Sequence, residues 1–202
     1  MFSLKRFWLY CLGTIIHPGE TFRVVIGEEK KVAYGFAGVL LLSIPYSISV
    51  LIGWAKGIVP SGYEPFLRIP LESYYLWQTF LTIPVGLVGW IVFAGSAQLL
   101  SNRLRGRGSF EKNLAVLGFP YILMLPLSWL PEFIGMFLPQ SWEIAIYGNI
   151  STTIRLSISV IWLAIISVIG LKQAQKLSTG SAVLVIIVSL LPTIALQMTY
   201  LH

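Results

Sequence analysis

Apolar positions in this chain do not alternate with a polar face; they run on. A helix in water shows apolar residues at every third or fourth position and polar residues between them. The stretch "GRGSFEKNLAVLGFPYI", residues 106–122, instead passes from a basic loop into a run with no polar face and a proline inside it. Charged side chains are absent between Lys31 and Lys56, Glu72 and Arg103, Lys112 and Glu132, Arg155 and Lys172, and beyond Lys176. A helix that crosses a bilayer needs roughly 20 apolar residues. The pattern therefore predicts five spans, near 32–55, 74–101, 112–138, 150–171 and 178–200. The fold class is all-α, a polytopic membrane protein with its transmembrane domain over 32–202.

Residues 1–31 read differently. "MFSLKRFWLYCLGTII" has a basic start and an apolar run too short to span, with no small-residue cleavage site after it. It predicts an interfacial amphipathic helix with Phe2, Phe7, Trp8, Cys11 and Leu12 toward lipid. Lys5 and Arg6 then reach lipid headgroups. "HPGETFRVVIGEEKK" restarts the chain, with Pro18 suited to a first helical turn and Glu20 complementing the helix dipole.

Composition agrees with the pattern. The chain is 56% hydrophobic and 11% charged, whereas a soluble domain carries about 25% charged residues. The net charge of +6 is unevenly placed. Eleven of the 14 basic residues fall in the N-terminal segment and the loops after spans two and four. Only Lys56, Arg68 and Arg155 fall on the other side. Lys and Arg stay on the cytoplasmic side, so the N-terminus is expected inside and the C-terminus outside. Arg103, Arg105 and Arg107 in the second of these loops are candidate headgroup contacts, like Lys5 and Arg6. Membrane lipids are thus the expected partners. Nucleic acid is not, since no water-exposed basic module exists to bind it.

The chemistry-bearing residues are sparse. Cys11 has no partner for an internal disulfide, and it reads as a small apolar residue at the interface rather than an acylation site. "GEEKK" at 27–31 resembles the paired glutamates of intramembrane CAAX-type proteases, but Ala33 stands where that pattern needs an arginine. Ser96 in "AGSAQ" has no histidine within any span to activate it, since His17 and His202 lie near the chain ends. No clustered His, Cys or carboxylates suggest a metal. No catalytic residue, metal ligand or cofactor is expected. Glu132 and Arg155 fall at similar depth on one side and form a candidate intramembrane polar pair, with Glu143 as competitor. Gln78, Gln98 and Asn113 suit hydrogen bonds between helices. Tyr63, Phe66, Tyr74, Tyr75 and Trp77, with Trp142 and Tyr147, suit an aromatic belt at the outer interface.

Prolines and small residues shape the expected bundle. Pro45, Pro84, Pro120, Pro126 and Pro192 lie inside spans and are candidate bends. The third span, with Pro131 as well, should be bent or broken. Ala33 with Ala37, Ser43 with Ser47, Ser49 with Gly53, and Gly86 with Gly89 offer narrow faces. They fit close packing of spans one and two, or a homodimer face.

Three stretches resemble the Yip1-domain family of integral membrane proteins. These are "HPGETFRVVIGEEKK", "SFEKNLAVLGFPYI" with Phe110, Leu114, Gly118, Phe119 and Pro120, and "WLAIISVIGLKQAQKLSTGSAVLVIIV". The five-span layout agrees. The resemblance implies an all-helical membrane fold, no enzymatic activity and no catalytic residue to carry over. Eukaryotic members act in vesicle traffic, are linked to prenylated Rab GTPases and generally carry a longer cytosolic N-terminal region. With 31 residues before the first span, this chain resembles the short prokaryotic type, and a Rab-type partner is not expected. The implied setting is a prokaryotic plasma (inner) membrane. The implied role is membrane organisation or assistance to another membrane protein. A small transporter or channel with a cavity framed by the third span, and an accessory subunit of an export complex, are the alternatives.

Overall fold

A computed structural model describes residues 2–60, 69–138 and 149–200, with side chains from 153 onward in the last segment. Among these residues all regular structure is helical. Two short helices, α1 (Leu4–Ile16) and α2 (Pro18–Gly27), precede the first span, Lys31–Ala55. The second span is Leu71–Arg103, the third Phe110–Gly135, the fourth lies in the helix Asn149–Gln175, and the fifth is Thr179–Tyr200. All five are long and apolar enough to cross a bilayer, and the chain is an integral membrane protein. Tyr63, Phe66, Arg68, Trp142, Glu143, Tyr147 and His202 lie outside the described residues.

The helices run further than the uncharged runs alone suggest. The second ends on Arg103 and the helix of the fourth includes Lys172 in its last turn. Both cations sit at helix C-termini, where the dipole favours them, so a charge there closes the helix instead of excluding itself from it.

The bundle is inside out relative to a soluble protein. Ile44, Ile48 and Leu51 of the first span point outward, as do Ile154, Ile158, Ile161 and Ile165 of the fourth and Leu184, Ile187 and Leu191 of the fifth. These positions repeat every three or four residues, so each helix gives one aliphatic stripe to the surroundings. Serines, threonines and glycines face inward, including Gly35, Gly38, Ser43, Ser47, Thr82 and Ser189. Inward hydroxyls bond to the carbonyl one turn back, as Ser43 to Val39 at 3.0 Å and Thr82 to Gln78 at 2.7 Å. Small interiors let backbones approach, which is the main source of helix association where the solvent itself is apolar.

The closest approach joins spans one and three. A methyl group added at Gly118 would overlap the Gly35 carbonyl, and one at Gly35 would overlap that of Leu114. At Gly38 it would stand 2.7 Å from the Gly118 carbonyl oxygen. The crossing point is thus a three-glycine contact, offset from the Ala33 and Ala37 pair expected to form the narrow face. Both alanines are only half-buried, because the third helix lies against the glycine side. Spans one and two meet further along, where Gly86 faces Ser43 and Ser47 donates to the Thr79 carbonyl at 2.7 Å.

The interfacial helix α1 corrects its sequence reading. Phe7 and Cys11 are buried, and Phe2 packs on the core beside Phe7. Phe7 lies 6.3 Å from Phe119 of the third span, centroid to centroid. The outward face is Leu4, Trp8, Leu9, Leu12, Ile15 and Ile16. The helix is apolar nearly all round, so its sequence could not tell the protein side from the lipid side. Burial pushes the Cys11 thiol up to about 12, which leaves it protonated at neutral pH.

Candidate functional site

The third span is not one helix. An α-turn segment, Phe110–Leu117, is followed by a 3₁₀ segment, Phe119–Leu123, a π segment, Leu125–Trp129, and a short α segment, Leu130–Gly135. Pro120, Pro126 and Pro131 each stand at the first or second position of their segment. There a missing N–H costs least, and each proline restarts the winding. Pro45, Pro84 and Pro192 lie within continuous α-helices.

The irregular segment borders a cavity of about 630 Å³ in the half of the bundle remote from α1. That is within the ~300–1,000 Å³ typical of ligand sites. The first span contributes Leu42, Ser43, Tyr46, Ser49 and Val50, and the second contributes Tyr75, Thr82 and Gly86. Met124, Ser128, Trp129, Glu132 and Phe133 come from the third. Leu156, Gln197 and Met198 close the side formed by spans four and five. From Tyr75 to Gly86 the helix climbs ~16 Å at 1.5 Å per residue, so the cavity reaches well into the bilayer. Leu156 and Met198 are also exposed on the outer surface of the bundle, which brings the cavity to the lipid-facing side.

Its carboxylate sits at one end among hydroxyl and indole neighbours. Glu132 accepts from Ser128 Oγ at 3.1 Å and from the Tyr46 hydroxyl at 3.5 Å. Arg155, the partner the sequence suggested, acts on Glu132 electrostatically, while those two hydroxyls hold its hydrogen bonds. Trp129 Nε1 donates to Ser49 Oγ at 2.6 Å, and Ser49 in turn donates to the Pro45 carbonyl. Trp129 stacks on Phe133 at 5.2 Å, and Phe133 meets Phe137 edge-on at 5.4 Å. Lys56 caps this ladder, with Nζ 4.1 Å from the Phe137 centroid and donating to the Met136 carbonyl at 2.6 Å. Tyr74 and Tyr75 do not join an outer aromatic belt: Tyr74 is buried and Tyr75 lines the cavity, leaving Trp77 outward. Met124, Met136 and Met198, every methionine after the first residue, line the cavity. Thioether chains adapt to varied shapes.

The opposite end is closed. Gln175 is fully buried and donates to Gln98 at 2.7 Å and to Asn113 at 2.9 Å, and Asn113 donates to Gln98 at 3.0 Å. The Gly108 N–H donates to the Gln175 side chain and the Arg107 N–H to its carbonyl, both at 2.9 Å. Gly108 has no room for a side chain against Ala174. This amide knot ties the basic loop to spans two, three and four. Gln98 and Asn113 thus bridge helices as the sequence suggested, and Gln175 was the member that reading missed. Arg103, Arg105 and Arg107 are left exposed around the knot. Ser109 occupies the N-cap position of the third span with no side-chain bond of its own. Arg6 is 59% exposed and pairs with Glu28 at 3.0 Å, while Lys5 faces outward. Tyr10 also donates to Glu28. Burial first, then this bond, pushes the Tyr10 phenol up to about 12, and the same bond is the main cause holding the Glu28 carboxyl below its usual range.

A five-span bundle with an aliphatic exterior, a broken third span and a cavity within the bilayer defines a polytopic helical membrane protein. Residues 12–201 match the Yip1 domain, and the chain belongs to that family. It is 29% identical over 110 residues to an uncharacterized protein of the archaeon Methanocaldococcus jannaschii, covering 54% of this chain and 75% of the relative. The archaeal match fits the short prokaryotic type. No solved structure matches it.

Proposed function

We propose that this Yip1-domain protein is non-enzymatic and acts by binding a membrane amphiphile in the cavity beside its third span. The observation that carries the reading is the cavity itself: walled mostly by apolar side chains, with Glu132 at one end and the lipid-facing surface beside it. The distribution of basic residues supports a cytoplasmic N-terminus and an outer C-terminus in a prokaryotic plasma membrane. The cavity then lies in the outer leaflet half. Residues 1–31 act as a cytoplasmic interfacial segment, and Lys5, Arg6, Arg103, Arg105 and Arg107 meet anionic headgroups. Full-length protein extracted in dodecyl maltoside is expected to retain lipid, detected by native mass spectrometry. Met124→Trp, which fills the middle of the cavity, should lower the retained fraction several-fold. Equal retention by the two proteins refutes the reading.

The 3₁₀ and π turns favour a second reading, passage of a small solute. The buried Phe22, Val25 and Phe119 cluster and the amide knot close the cytoplasmic half, so transport requires that half to open. Flux in proteoliposomes altered by Glu132→Gln or Arg155→Gln would select it, and unaltered flux would exclude it.

A further inference from the structure

The chemistry of the cavity also selects its occupant, provided the cavity is a binding site as proposed above. The geometry points to a single-chain amphiphile with an ammonium head, seated against Glu132 with its chain toward Gly86. The hydroxyls of Ser43 and Thr82, deeper in the cavity, are already engaged. Each donates to a carbonyl on its own helix. Tyr121 and Gln197 add two polar groups there, and the rest of that wall, with Leu42, Gly86 and Met124, suits a hydrocarbon chain.

At the other end the balance reverses. A carboxylate has about four lone-pair sites and donates nothing while ionised. Ser128 and Tyr46 use two sites on Glu132. The unused sites ask for a donor, and a carboxylate or phosphate head would meet repulsion. Among donors, an ammonium adds charge attraction to the hydrogen bond. The aromatic rings of Tyr46, Tyr75, Trp129 and Phe133 line the cavity too, and aromatic rings attract cations. The ladder already holds one ammonium, that of Lys56 over Phe137. Arg155 offsets part of the charge on Glu132 from a distance, so the expected preference is moderate.

Bromine on a ligand chain quenches tryptophan at close range, and Trp129 lines the cavity. The test uses the full chain in dodecyl maltoside with 6-bromododecylamine, 6-bromododecanol and 6-bromododecanoate, which carry bromine near the head and so near Trp129. Saturable quenching that disappears in Trp129→Phe is the signal. The amine is expected to bind about tenfold more tightly than the alcohol, the scale of one hydrogen bond to a charged group, and the carboxylate most weakly. Glu132→Gln should erase the amine preference but keep the alcohol affinity, which also reports that the cavity is intact, while Glu132→Asp should keep the preference. A chain-brominated lysophosphatidylethanolamine separates the sources of such a head: tighter binding than the amine assigns a lipid, weaker binding a plain alkylammonium. If amine and alcohol quench Trp129 equally tightly, the ammonium assignment is overturned and the binding cavity stands. If no probe quenches Trp129, the binding cavity itself is refuted.

Discussion

Single residues decide how near the helices come. Gly118 sits in an ordinary helical conformation, so what demands glycine there is the Gly35 carbonyl pressed against it. Gly118→Ala should therefore cost about 1–3 kcal/mol, as overpacking does, lowering the melting temperature in detergent by several degrees. Gly180→Ala, with nothing near its added methyl, should be neutral or gain up to ~1 kcal/mol from helix propensity. Equal melting temperatures for the two variants would refute the three-glycine contact. Gly118 was visible in the sequence as part of a motif, but its partner was not. Nothing in "VAYGFAGV" marks Gly35 and Gly38 above Ala33 and Ala37, since small residues on two faces look alike until a neighbour chooses one. Glu132 was legible for the opposite reason: a carboxylate in an apolar run is conspicuous whatever surrounds it. Of its hydroxyl partners, Tyr46 was hidden because it is 86 residues away, whereas Ser128 stands one turn before it.

At the scale of elements, α1 is held to α2 by more than its apolar face. Arg6 and Tyr10 converge on Glu28, just past the end of α2. A carboxyl held below its unfolded value lends stability that is full above about 4.3 and is lost as pH falls through the folded value. The Tyr10 phenol behaves inversely: its contribution is full below about 10 and disappears as pH rises through the folded value, about 12. Glu28→Gln should consequently melt below the wild type at pH 7, and the gap should narrow as pH falls below about 4.3. A gap that does not change with pH would refute the coupling. The third span shows how a proline pattern becomes geometry. The spacing of Pro120, Pro126 and Pro131 predicted a broken element, but not that the break would be filled by a 3₁₀ turn followed by a π turn. That choice depends on Phe119 and Tyr121 finding buried places against other helices.

For the molecule as a whole, the asymmetry of charge and the asymmetry of packing share one axis. The end rich in Lys and Arg is closed by the amide knot, and the other end carries the cavity. On the orientation proposed above, a green fluorescent protein fused after Lys176 should fluoresce and one fused after Tyr200 should not; alkaline phosphatase fusions should give the reverse. Matching signals at both sites would overturn the orientation. The sequence by itself determined the solvent, the five spans and the family, because a membrane segment must satisfy its backbone internally and so betrays itself by length and missing charge alone. Which face of each helix meets protein, and therefore where Phe7, Tyr74, Gly35 and the cavity lie, was decided only by tertiary structure. In a chain apolar on every side, the inward face is selected by fit between helices distant in sequence rather than by polarity along any one of them.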